Sequence, residues 1–132
     1  GSSVVAELET LLDLRAALDS KATYRKTFHG GEHVISLEAV HLAAGMGCTE
    51  ALDVLISRAS DRVEYVNRFC KSAKEGQEGQ NFYAPLHDAA FCANSAETIK
   101  YLLEKRAYAD ATNIDGYTPL HFVAKHGVKP EK

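Results

Sequence analysis

The chain has no CxxC pair, no apolar run of membrane length, no strong excess of either charge and no low-complexity tract. Each absence removes a class of protein. Its three cysteines, Cys48, Cys70 and Cys92, are an odd number without metal-ligand spacing. They point to reduced thiols in a cytoplasmic or other intracellular compartment, not to a disulfide framework. No apolar stretch approaches the roughly 20 residues that span a bilayer, and no signal peptide opens the chain, so membrane insertion is not expected. Fifteen Lys+Arg against 18 Asp+Glu leave a net charge of −3, which gives a nucleic-acid or anionic-membrane partner no footing. Two short basic groups, Lys21/Arg25/Lys26 and Arg68/Lys71/Lys74, read as solvated charged faces. There is no glycine-rich phosphate loop, HExxH or GxSxG. His29 and His33 flank Gly30-Gly31, but two histidines make a poor metal site. No enzyme, cofactor or metal is expected.

What is present is one domain's worth of ordinary globular composition, 45% hydrophobic and 25% charged over 132 residues. Gly1-Ser2 reads as an expression remnant. The dominant feature is a recurring motif. Ala84-Pro85-Leu86-His87-Asp88-Ala89-Ala90 returns as Thr118-Pro119-Leu120-His121-Phe122-Val123-Ala124, with the two histidines 34 residues apart. A weaker copy, Glu38-Ala39-Val40-His41-Leu42-Ala43-Ala44, lies upstream.

Self-similarity at this period resembles the ankyrin-repeat family. The resemblance implies an all-α helical solenoid with short β-hairpin loops. It would hold an opening helix, two full repeats, half a third and one long insertion, all in a single domain over 1–132. The expected limits are an opening helix at 3–20, a finger at 21–35, a first repeat at 36–59, an insertion at 60–83, a second repeat at 84–112 and a partial third at 113–132. Leu11-Leu12-Asp13-Leu14-Arg15-Ala16-Ala17-Leu18-Asp19 matches Leu102-Leu103-Glu104-Lys105-Arg106-Ala107-Tyr108-Ala109-Asp110. The opening helix is thus either the outer helix of a repeat lacking its first helix or an independent cap. No second helix follows the third motif, so the chain is expected to be a piece of a longer protein.

His41 and His87 are 46 residues apart, about 13 more than a period of about 33. Val63, Val66, Phe69, Cys70 and Ala73 recur at three- and four-residue steps, which predicts an added amphipathic helix over 61–73 with Asp61 as N-cap. The apolar-free run 74–80 predicts a mobile loop. The second repeat's one extra residue is assigned to the turn at 93–95. Arg106 stands where the family ends a helix with Gly, which strains the cap.

In the motif, Thr118 caps its helix and Pro119 occupies a position that needs no intrahelical N–H. His121 can meet the Thr118 hydroxyl. The structural motif residues are therefore His41, Pro85, His87, Thr118, Pro119 and His121. Leu52, Leu55, Leu86, Ile99, Leu102, Leu103 and Leu120 are expected to fill the core. The resemblance places partner binding on a concave ledge of finger tips and inner helices. By position this gives Met46, with Leu37 beside it, in the first repeat. It gives Phe82, Tyr83, Phe91 and Cys92 in the second, and Ile114, Tyr117, Lys125 and His126 in the third. The expected function is non-enzymatic recognition of another protein or peptide segment by a chain that is a monomer in isolation. The alternative is a regulatory domain docking on an enzyme or channel domain of the same longer chain. His87→Ala should lower the melting temperature while leaving partner affinity of the folded fraction little changed. A fully stable mutant that had lost an activity would overturn the structural role.

Overall fold

The computed structural model describes residues 2–13, 21–28, 31–74, 79–93 and 95–127. Helix α1 (Ser2–Asp13) is followed by strands β1 (Ala22–Phe28) and β2 (Gly31–Leu37). Helices α2 (Ala39–Met46), α3 (Thr49–Arg58) and α4 (Arg62–Val66) lead to strands β3 (Cys70–Lys74) and β4 (Gln80–Tyr83). Helix α5 (Pro85–Asp88) continues as a π-helical turn, Ala89–Ala93, before α6 (Ala96–Glu104) and α7 (Pro119–Gly127).

The all-α expectation is therefore wrong. Among the described residues seven helices accompany a four-stranded antiparallel sheet of order β1-β2-β3-β4, and the fold is mixed α and β. The cause lies in the fingers. The first is a hairpin of two seven-residue strands with Ala22 opposite Leu37 and Phe28 opposite Gly31. The second grows out of the insertion, and its β3 pairs with β2, Ile35 facing Ser72. A hairpin of that length leaves an edge of unpaired N–H and C=O groups, and the neighbouring finger satisfies it. Even the short third finger joins, since the Ile114 N–H donates to the Asn81 carbonyl at 2.9 Å.

The helix predicted over 61–73 is corrected by the same pairing. Asp61 does cap α4, its Oδ1 accepting from the Glu64 N–H at 3.1 Å, but the helix stops after Val66. From Cys70 the chain alternates buried, exposed, buried through Ser72. Over so few residues a period of two and a helical spacing both fit, and the open β2 edge decides between them. Of the predicted loop at 74–80, residues 75–78 lie outside the described residues, while Gln80 already belongs to β4. Residues 14–20 of the expected opening helix also lie outside them.

The main core sits between the inner helices α2 and α5 and the outer helices α3 and α6. Val40, Leu52, Leu86, Ala89 and Leu102 meet Tyr65 and Val66 from α4 there. Helix α1 packs on α3 and contributes Leu8. Leu52, Leu55, Leu86 and Leu102 are buried and Ile99 packs against them, but Leu103 is 41% and Leu120 74% exposed. Leu86 reaches the core because α6 covers it; among the described residues no outer helix covers Leu120.

Two helix ends use left-handed residues. Gly47 closes α2 at φ 73°, with the Cys48 N–H donating to the Ala43 carbonyl at 3.0 Å. Arg106 does the same after α6 at φ 75°, with the Ala107 N–H donating to Leu102 O at 3.0 Å. A side chain with a Cβ is strained there, as the sequence predicted. Asn67, just past α4, brackets the strained residue. Its Nδ2 donates to the Arg106 carbonyl at 3.0 Å and its Oδ1 accepts from the Tyr108 N–H at 2.8 Å. A π-helical turn, Ala89–Ala93, runs into the turn at 93–95 that was expected to hold the second repeat's extra residue. Arg106→Gly should stabilise the chain by about 1 kcal/mol, read as a higher urea midpoint with unchanged slope. An unchanged or lower midpoint would show that the Asn67 bracket has already removed the strain.

Candidate functional site

Three histidines at the motif position are held alike at their Nδ1 atoms. His41 accepts there from the Glu38 N–H at 3.1 Å, His87 from the Ala84 N–H at 3.1 Å and His121 from the Thr118 N–H at 2.9 Å. An accepting Nδ1 fixes the neutral ring with its proton on Nε2. His41 Nε2–H then donates to the Arg68 carbonyl at 2.7 Å, and His87 Nε2–H to the Tyr117 carbonyl at 2.9 Å. Each ring thus ties its own helix start to the chain segment leading to or from the following finger. Ala84 lacks the hydroxyl that Thr118 presents to His121 Nδ1 at 2.8 Å, and the His87 contact still holds its N–H. Pro85 and Pro119 are buried at the starts of α5 and α7. Next to His41, Glu38 is buried and held by Arg68 Nη1 at 2.9 Å, and Arg68 also grips Glu64 at 2.7 Å.

The fingers and the inner helices enclose a cleft of about 450 Å³. Strand β1 gives it Tyr24 and Lys26, β2 gives Ile35 and Leu37, and α2 gives His41, Leu42 and Met46. Cys70, Phe82 and Tyr83 come from β3 and β4, and Asp88 and Phe91 from the second inner helix and its π-helical turn. The sheet supplies an apolar floor, since Ile35, Cys70 and Phe82 form a second buried cluster with Leu37 and Tyr83 against it. Beside it lies a second cleft of about 350 Å³ that shares Lys26, Phe82 and Tyr83 and adds Asn113, Asp115, Tyr117, Phe122 and Lys125. Aromatic rings form the wall between the two. Tyr83 meets Phe122 edge-on at 5.1 Å and Phe91 at 5.8 Å, and Tyr117 lies 5.3 Å from Phe122. Lys125 Nζ sits 5.4 Å over the Tyr117 ring.

Of the residues expected on the ledge, Met46, Phe82, Tyr83 and Phe91 line the larger cleft, and Tyr117 and Lys125 the smaller. Phe82 was expected at a finger tip and is instead a strand residue, 7% exposed, because the finger is a full hairpin. Ile114 is exposed on the third finger and lines neither cleft. The side chains of Cys92 and His126 lie outside the described residues. Sequence reasoning missed Tyr24, Lys26, Leu42, Cys70 and Asp88. One signal was available: the residue after each motif histidine is Leu42, Asp88 or Phe122, so Asp88 is the odd member.

The titratable groups in the cleft are tuned mainly by burial. Burial pushes the Cys70 thiol up to about 12, with the nearby Asp88 carboxyl adding to it. Burial likewise holds the Asp88 carboxyl well above the usual range. A thiol kept protonated is a poor nucleophile or metal ligand. Among the described residues no group of three or more His, Cys, Asp or Glu is arranged to hold a metal ion, and no helix is long and apolar enough to cross a membrane.

A family model described as ankyrin repeats (many copies) matches residues 86–131, the stretch running from the second motif through the third. The match supports the resemblance read from the motifs and, with it, a protein-interaction module in general. Ankyrin repeats are typically non-enzymatic. No curated protein matches the chain.

The histidine geometry carries a pH prediction. Burial first, and then the Arg68 charge, lower His41 to about 4, against the hydrogen bond to the Arg68 carbonyl that raises it. An unfolded histidine takes up its proton near pH 6.5, so between about 6.5 and 4 the unfolded chain binds more protons than the folded one. Stability is complete above that window and falls by about 3 kcal/mol across it as the pH drops. His87 is lowered in the same direction, chiefly by burial. Urea midpoints should fall steeply over this window, and His41→Gln should be less stable at neutral pH yet flatter with pH. Equal slopes for the two proteins would remove His41 from the account.

Proposed function

We propose that the protein is a non-enzymatic recognition module that holds an extended segment of a partner protein in the groove between its sheet and its inner helices. The observation that carries this reading is the larger cleft. It is concave and chiefly apolar, and it combines Met46, Phe82, Tyr83 and Phe91 from three separate elements. Pockets of this size with few polar groups are where ligands and peptide anchors seat. Met46 is 80% exposed, so its side chain does nothing for the core. Aromatic and methionine side chains are the types that anchor interfaces. The smaller cleft continues the path along the fingers to Tyr117 and Lys125, giving the bound segment room to run across successive repeats. The buried, protonated Cys70 suits a reducing intracellular setting.

Affinity capture with the chain, followed by mass spectrometry, supplies the partner. Calorimetry with Met46→Ala, Tyr83→Ala, Phe91→Ala and Tyr117→Ala then tests the groove. At least one of the four should cost about 2 kcal/mol or more of binding energy, roughly thirtyfold in Kd. Met46→Ala is the cleanest, because truncating an exposed side chain shifts stability by no more than about 0.5 kcal/mol. Lys125→Ala should act mainly on the salt dependence of association. If all four folded variants bind as the parent does, while substitutions on α4 or the outer helices abolish binding, the groove is not the site.

A further inference from the structure

Asp88 is out of place by its own repeat's pattern. The two equivalent positions hold Leu42 and Phe122. The inner helix therefore needs no carboxylate to fold, and an apolar residue suits the position. Yet the Asp88 carboxyl lies among the apolar walls of the larger cleft. Its Oδ2 is sealed from water and has no hydrogen-bond partner among the described residues. The residue as a whole keeps partial exposure and lines the cleft. The terminal torsion of an aspartate is broad, and either oxygen can turn toward an arriving group. A buried acceptor left unsatisfied destabilises the fold, and such a group in a native structure calls for an explanation.

We propose that Asp88 is the specificity-determining acceptor of the groove, and that the segment bound there presents a lysine whose alkyl stem lies against the apolar walls while its ammonium meets this carboxyl. The inference rests on the groove being the docking site and adds the chemistry of the docked residue. Charge complementarity selects a cation, since among the described residues Asp88 is the only acid lining the cleft. The other titratable groups facing it are Tyr24 and Lys26 from β1, His41 from α2, Cys70 from β3 and Tyr83 from β4. His41 is committed to its two backbone bonds. No ion pair joins Lys26 to Asp88 among the described residues, so Lys26 leaves the carboxyl free. One orphaned oxygen suits the point charge of an ammonium better than the two-pronged fork of a guanidinium. In the empty groove burial raises the carboxyl's pKa well above the ordinary carboxylate range. A docked ammonium favours the ionised form and lowers that pKa, so whatever proton the carboxyl carries is released to the buffer on binding.

The probes are pools of capped pentapeptides with randomised flanks and a central lysine, arginine or norleucine, the last being lysine's neutral isostere. Met46 is the chain's single methionine and lines the cleft, so its ¹³C-labelled methyl signal reports binding in the intact chain. The lysine pool should bind at least about tenfold tighter than the norleucine pool. Its calorimetric heat should change with the buffer's ionisation enthalpy, as proton release requires. Asp88→Asn and Asp88→Leu should erase both effects, and Asp88→Leu should also raise the melting temperature. Equal binding of the lysine and norleucine pools would overturn the inference and leave the groove as a purely apolar ledge. Tighter binding of the arginine pool, or a lysine preference that survives in both variants, would overturn it too. So would silence of the Met46 signal with every pool; whether the groove binds a partner is then decided separately by the alanine set on the captured protein.

Discussion

The structure depends on a neutral imidazole used twice. His41 and His87 each accept a backbone N–H at the start of their own helix and donate to a carbonyl well ahead in the chain. Such a bridge works only with the proton on Nε2, and burial enforces that form by disfavouring the cation. The two bridges fix where the chain stands when it leaves an outer helix and enters a finger. What differs between the two repeats is the length of chain from the linked carbonyl to the next motif. After His87 the linked carbonyl belongs to Tyr117, directly before the next motif, and the finger is a tight turn closed by Asn113 Oδ1 on the Asp115 and Tyr117 amides. After His41 the linked carbonyl belongs to Arg68, and the chain makes a hairpin through β3 and β4 before the next motif begins.

That difference in length explains how a helical repeat acquires a sheet. A short finger satisfies its own backbone groups within a turn, whereas a long one exposes a strand edge that needs a neighbour. Two successive long fingers meet that need by pairing with each other, and the sheet that results has one face turned to the inner helices. The groove is therefore a consequence of finger length. Its apolar floor of Ile35, Cys70 and Phe82 is the sheet's own small core, and the π-helical turn brings Phe91 to its far wall.

The motif made the helices legible. Its spacing gave both inner helices, the outer helices α3 and α6, and the strained left-handed Arg106, because each rests on residues close in sequence. The sheet was not legible, since pairing between β2 and β3 joins segments about 38 residues apart through hydrogen bonds that leave no mark on side-chain periodicity. The segment 70–73 shows why: Cys70 and Ala73 satisfy a helical step as readily as an alternating one. On the site, Met46, Tyr83 and Phe91 follow from position within a repeat. Tyr24, Lys26 and Cys70 reach the cleft only through strand pairing. Asp88 could have been found by aligning the chain with itself.

Exposure of apolar side chains carries different meanings at different places in a stacked fold. Leu42 is 55% exposed and Leu120 74%, but both occupy motif positions whose equivalents meet a neighbouring element. Phe122, the counterpart of Leu42, packs against Tyr83, His87 and Phe91 of the preceding repeat. Leu86, the counterpart of Leu120, is covered by α6. Leu42 and Leu120 are exposed because, among the described residues, no inner helix lies before α2 and no outer helix after α7. For Leu120 that is repeat geometry and says nothing about binding, whereas Leu42 also borders the cleft. Met46 differs: it is bare although its helix packs on both α3 and α5, and it faces a cleft the fold has no need to fill. The surface left open by complete packing, not the surface left open at the ends of the stack, is where recognition is to be sought.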